Sequence, residues 1–183
     1  MLVRVIPVGH PPQATIDAIM NELPARTGVK TRLLPVLNVP KDSWNQWRKQ
    51  YNAENMLAVL NGSAAATFIE KSVPSLFITE MDIYYDGLNF VFGLEDPTMA
   101  ACIVSIARLR PEFYDNTPNA SLLTERAVKE AVHEVGHMLS LEHCRRPSCV
   151  MAFSPSVSDV DTKKAELCAD CQIRARMKGV TFE

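Results

Sequence analysis

The chain has 183 residues, of which 47% are hydrophobic and 22% charged, and a formal net charge of −2. That length suits one folded unit with a proper core, and the near-neutral balance gives no reason to expect nucleic acid or an anionic membrane as a partner. No apolar run approaches the ~18 residues of a membrane span. The start, Met1-Leu2-Val3-Arg4-Val5, alternates like a strand rather than like a secretory leader, so the expected compartment is the cytoplasm.

In chain order, residues 1–8 read as a strand, ended by His10-Pro11-Pro12. Residues 13–23 place Ile16, Ile19 and Met20 at helical spacing, and 31–36 read as a second strand. Ser43 as an N-cap predicts a helix containing Trp44 and Trp47, with helical character continuing over 54–60 and 64–69. A β-rich section follows: 75–79, a turn at Asp86-Gly87, 90–92 and 101–107. Early alternation of strands and helices implies an α/β fold with a mostly parallel sheet. The segments flanking Asp86-Gly87 are too close for a helical crossover, so one antiparallel strand is expected there, at the sheet edge. A long helix is predicted over 121–141, and a polar helical stretch from about residue 159. No repeat, heptad or apolar stripe indicates an oligomeric state.

The long helix carries His133-Glu134-Val135-Gly136-His137. At ~100° per residue the two histidines share one helix face, while Val128, Val132, Val135 and Leu139 face the other way. A catalytic zinc needs three protein ligands and an open position. His143, just past the helix end, is the candidate third ligand if the chain turns sharply near Ser140. Glu134 lies beside a ligand, and its natural role is general base for a zinc-bound water. Glu166 is a weaker third-ligand candidate. Three of the four histidines fall within 133–143, which core packing alone explains poorly.

Four of the five cysteines crowd into the last forty residues as Cys144-x4-Cys149 and Cys168-x2-Cys171. Two close pairs of this kind resemble the arms of a closed structural zinc site. An iron–sulfur cluster, or two unrelated pairs, are the alternatives. Cys102, in the run Ala100-Ala101-Cys102-Ile103-Val104, reads as a small buried hydrophobe. Arg108 and Arg110 read as partners of surface or structural ion pairs rather than as grips on a substrate carboxylate. Lys163-Lys164 and the basic run 174–178 read as a solvated helix face rather than a nucleic-acid contact.

Taken together, His133-Glu134-x-x-His137, His143-Cys144, Cys149-x-Met151 and Cys168-x-x-Cys171 resemble the archaemetzincin family of zinc metallopeptidases. The likeness extends to the segments 87–93 and 108–114 and covers nearly the whole chain. It implies a metzincin-like α/β fold with a mixed, mostly parallel sheet, an antiparallel edge strand, a long active-site helix and a small zinc-stabilised C-terminal subdomain. The expected division is 1–143 and 144–183. The resemblance implies two zinc ions, a catalytic one on His133, His137 and His143 and a structural one on Cys144, Cys149, Cys168 and Cys171. Met151 would be the methionine of the Met-turn beneath the catalytic metal. Segment 87–93 would hold the edge strand lining the cleft, with Asn89, Phe90 and Val91 as candidate contacts for a peptide or unfolded-protein substrate bound by strand addition. Members of the wider clan usually carry glycine at the place of Ser140, where serine costs roughly 1 kcal/mol; His143 is still expected to bind. Peptide hydrolysis is the leading function, and the alternatives are a non-catalytic zinc-stabilised peptide- or protein-binding module and deacylation of a small amide.

Overall fold

The computed structural model describes residues 1–68 and 73–181. The elements follow as β1 (Leu2–Val8), α1 (Gln13–Thr27), β2 (Lys30–Leu33), β3 (Trp44–Asn45), β4 (Gln50–Asn52), α2 (Ala53–Phe68), β5 (Ser75–Thr79), β6 (Ile83–Tyr84), β7 (Gly93–Asp96), β8 (Ala101–Ser105), α3 (Ala120–Met138), α4 (Val157–Thr162) and α5 (Ala169–Met177). The expected helical stretch 64–69 runs to Phe68, and Ile69 lies outside the described residues.

Five strands form the main sheet in the order β2-β1-β5-β8-β7. All neighbours are parallel except β7, which runs antiparallel to β8 at the edge; the tight turn over 97–100 that joins these two strands, rather than the Asp86-Gly87 turn before β7, is what is too short for a helical crossover. The central strands are apolar on both faces because helices cover both. Side chains alternate between two cores: Val3, Val5, Leu76, Ile78, Cys102 and Val104 pack on the side of α1 and α3, whereas Ile6, Val8, Phe77 and Ile103 meet Met56, Leu57 and Leu60 of α2. Cys102 is fully buried, as expected of a small hydrophobe, with its sulfur 3.2 Å from that of Met138.

The helix expected around Trp44 and Trp47 does not form. A short 3-10 turn, Lys41–Ser43, leads into an antiparallel pair, β3 and β4, whose reversal is local chemistry. Asn45 Oδ1 accepts from the N–H groups of Trp47 and Arg48, Lys49 takes a left-handed conformation (φ 54), and the Trp44 ring packs tilted against Tyr51, centroids 4.9 Å apart. Ser43 caps no helix; Asn52 caps α2 by accepting from the Asn55 N–H.

The strand expected over 90–92 is displaced to Gly93–Asp96. Segment 88–91 is drawn off the ladder by other partners, and Phe92 reaches it only through its carbonyl, which accepts from Ser105 N. Asn89 O accepts from Gln50 Nε2 and Arg48 Nη2, and Val91 N donates to Ile83 O. After β8 the chain enters 3-10 turns rather than continuing as strand to residue 107. There Arg108 pairs with both carboxylate oxygens of Asp82, at 2.7 and 2.8 Å, and stacks over Phe90; Arg110 pairs with Glu80. Both arginines are thus ion-pair partners, and Arg108 buttresses the segment that follows the Asp86-Gly87 turn.

Candidate metal centre and cleft

Helix α3 starts with Asn119, whose side chain accepts from the Leu122 N–H, and becomes buried over Ala127–Gly136. It ends in a Schellman arrangement. Ser140 adopts φ 60, its N–H donates to His137 O, and the Leu141 N–H donates to Gly136 O. Serine therefore occupies the left-handed position that glycine fills most easily, at a cost of about 1–2 kcal/mol. The reversal returns the chain so that His143 stacks against His133, ring centroids 5.3 Å apart, and lies 4.8 Å from the His137 ring.

The three imidazoles converge. His133 Nδ1 is 2.8 Å from Val150 O, and His137 Nδ1 is 2.8 Å from Leu141 O. A carbonyl only accepts, so each Nδ1 carries the proton and each Nε2 is left with a lone pair. Those two Nε2 atoms lie 3.1 Å apart. Lone pairs aimed at one point repel unless a cation sits between them. Ligand nitrogens about 2.0–2.1 Å from a tetrahedral zinc would be separated by about 3.3 Å, so the observed spacing fits one ion. Burial pushes the pKa of all three imidazoles down, furthest at His133, and the charge of Lys163 adds to the effect. Neutral imidazole is the form that binds metal.

Glu134 is buried in the same cavity, of about 500 Å³, which is also lined by Asn89, Phe90, Val91, Glu130 and Phe153. Burial pushes its carboxyl well up; the neighbouring Glu130 adds to this, and Lys163 opposes it. Its carboxylate lies against Gly93, the first residue of β7, where a Cβ would overlap it. Met151 is fully buried and its sulfur fills the space that a Cβ on Gly136 would need. Glu166, the weaker ligand candidate, points elsewhere and pairs with Arg26.

The four cysteines form a second cluster. Sγ of Cys144 and Cys168, and of Cys149 and Cys171, are each 3.8 Å apart, and one ligand atom from each of the four lies within 4.8 Å of the others. A tetrahedron with zinc–sulfur bonds of about 2.3 Å has edges of about 3.8 Å. A multi-iron cluster spreads its cysteines farther than this. Burial raises the Cys168 thiol, but hydrogen bonds from the Cys171 N–H and neighbouring thiols outweigh it and bring it down to about 7. The clusters are linked through three consecutive residues. Cys149 belongs to one, Val150 O orients His133 in the other, and Met151 packs under the helix between His133 and His137.

Two residues of this region were not foreseen. Lys163, expected on a solvated face, is 1% exposed and lies 2.8 Å from Glu130 Oε1. Glu130 stands at i−3 from His133 and i−4 from Glu134. That spacing places it near their face, but nothing in the sequence announces its partner.

A trio of convergent imidazoles beside a buried carboxylate, in a cleft rimmed by an antiparallel edge strand, places the chain among the metallohydrolases. Comparison with known proteins narrows the class. The model of peptidase family M54 matches residues 20–177, and the chain belongs to this family of metallopeptidases. It is 38% identical to the archaemetzincin of Pyrococcus abyssi over 188 residues, covering 98% of this chain and 96% of that one. Among solved structures it resembles the archaemetzincin of Archaeoglobus fulgidus complexed with malonate (TM-score 0.80, 35% identity, 95% and 99% of the two chains). It also resembles a zinc-dependent peptidase from Methanocorpusculum labreanum (TM-score 0.86, 26% identity, 94% and 99%). The expected α/β architecture, with its mostly parallel sheet and antiparallel edge, matches these structures. Among the described residues no helix is long and apolar enough to cross a membrane.

Proposed function

We propose that the chain hydrolyses peptide bonds at one zinc ion held by His133, His137 and His143, with Glu134 as general base, and that a second zinc on Cys144, Cys149, Cys168 and Cys171 is structural. The observation that carries the reading is the pair of Nε2 atoms 3.1 Å apart, each with its Nδ1 committed to a carbonyl, beside a buried carboxylate in the same cavity. The metal, when bound, supplies Lewis acidity to the scissile carbonyl and acidifies water. Glu134 takes the proton from the attacking water and delivers it to the leaving nitrogen. Its burial suits this role, because a carboxyl raised from its ordinary range holds a proton better while the amine departs. Met151 and the Val150 carbonyl fix the helix and the His133 ring from below.

Substrate is an extended peptide or an unfolded segment. Among the described residues β7 is the last strand of the sheet, and a peptide added along its outer edge would pass the cavity at Asn89, Phe90 and Val91. Residues 1–143 carry the sheet and catalytic helix, and 144–183 form the part that the thiolate-bound zinc holds together. A reducing compartment such as the cytoplasm suits four unpaired thiols gathered around one ion.

The test is turnover of a random peptide library by the zinc-loaded chain and by Glu134→Gln. Cleavage by the wild type that drops at least about 10²-fold in the variant, with zinc retained, is the expected result. Equal cleavage removes Glu134 from the mechanism. No cleavage by a fully loaded wild type would favour a non-catalytic binding module.

A further inference from the structure

Lys163 follows α4 directly, and α4 is fixed to α3. Arg126 grips both carboxylate oxygens of Asp161 at 2.7 Å, Lys129 Nζ donates to Val160 O at 3.2 Å, and a Ser156–Asp159 capping box starts the helix. This scaffold delivers the Lys163 ammonium into the interior. It lies 2.8 Å from Glu130 Oε1, and among the described residues neither atom has a hydrogen-bond partner. A buried ion pair of this kind contributes little stability compared with apolar packing of the same volume. Its location is what gives it a consequence. Through Glu130, one turn before His133 and Glu134 on α3, the pair stands beside the histidine cluster.

A metal on three neutral imidazoles receives no negative charge from its ligands. A buried ammonium nearby opposes the arrival of a dication. Glu130 lines the same cavity as His133, His137, His143 and Glu134, one helical turn before the last.

We propose that Glu130 is the counter-anion of the histidine-held metal, a positioning and charge-balancing residue oriented by Lys163 from the C-terminal segment. The pair is then an electrostatic part of the metal centre as well as a strap between α3 and the chain beyond α4. It rests on the metal reading of the histidines, but it predicts a pattern that a structural strap does not. Removing the anion and removing the cation change metal affinity in opposite directions.

The experiment is a zinc titration of the full chain, with its cysteine cluster already loaded, against a competing chromophoric chelator. Folding is checked by circular dichroism. Glu130→Gln is expected to weaken the histidine site about 10–100-fold. Lys163→Met is expected to bind zinc at least as tightly as the wild type despite a lower Tm. The double variant Glu130→Gln/Lys163→Met, which restores local neutrality, is expected within about 3-fold of the wild type. Wild-type affinity in Glu130→Gln would overturn the proposal, as would an equal loss in both single variants. If a single variant fails to fold, the double variant decides: a folded double variant with a loss of about 10-fold or more contradicts charge balancing. A wild type that takes up no zinc at the histidines defeats the metal reading itself, which is a distinguishable result.

Discussion

Gly136 and Met151 meet face to face: the methionine sulfur occupies the volume a side chain at Gly136 would need. The glycine sits in the last turn of α3, between His133 and His137, where it costs up to about 1 kcal/mol relative to alanine by propensity alone. Gly136→Ala should nevertheless destabilise the fold by about 1–3 kcal/mol through overpacking, and Met151→Ala in the same chain should recover part of the loss. Thermal unfolding of the three variants checks this. A higher Tm for Gly136→Ala would show that the sulfur moves aside freely.

Gly93 stands in the same relation to Glu134. A methyl group there need not disturb the sheet, but it displaces the carboxylate. Gly93→Ala should keep its zinc and an unfolding free energy within about 1 kcal/mol of wild type. Its kcat on any cleaved peptide should fall by about 10² or more, because a general base out of reach contributes nothing. Steady-state kinetics with zinc analysis separates this from loss of metal.

Ser140 holds φ 60 at the helix terminus. Relief of that conformation should make Ser140→Gly more stable by about 1 kcal/mol, less the entropy glycine returns to the unfolded chain. Denaturant midpoints measure the sign. Zinc binding at the histidines should be unchanged, since His143 already reaches the other two rings.

The five thiols should divide four to one. Burial pushes the Cys102 thiol well above its ordinary pKa and its residue is fully buried, so thiolate there is scarce and inaccessible. With a thiol reagent at pH 8, the metal-loaded chain should react slowly at every cysteine. The chelator-treated chain should expose four thiols, and Cys102 should appear only in denaturant. Fast reaction of all four cluster thiols before chelation would count against a thiolate-bound metal.

Much of this was legible in the chain because it is encoded locally. The apolar runs of β1, β5 and β8 need a sheet covered on both faces, and the spacing of His133 and His137 needs only a helix. What escaped depends on contacts distant in sequence. Trp44 and Trp47 have helical spacing, but Asn45 reverses the chain and Tyr51 receives Trp44. Residues 90–92 have strand composition, yet Arg48 and Gln50 take the carbonyl of Asn89 and shift the strand to Gly93. Lys163 sits in a polar stretch that resembles a surface, and only the docking of α4 on Arg126 and Lys129 carries it inside.

The most direct test of the central claim is zinc per chain by elemental analysis on dialysed protein, for the wild type and His137→Ala. The account predicts two zinc ions in the wild type and one in the variant, with the remaining ion on the cysteines. One ion in both would mean that the histidines hold no zinc and that the chain is not a zinc peptidase of the kind proposed.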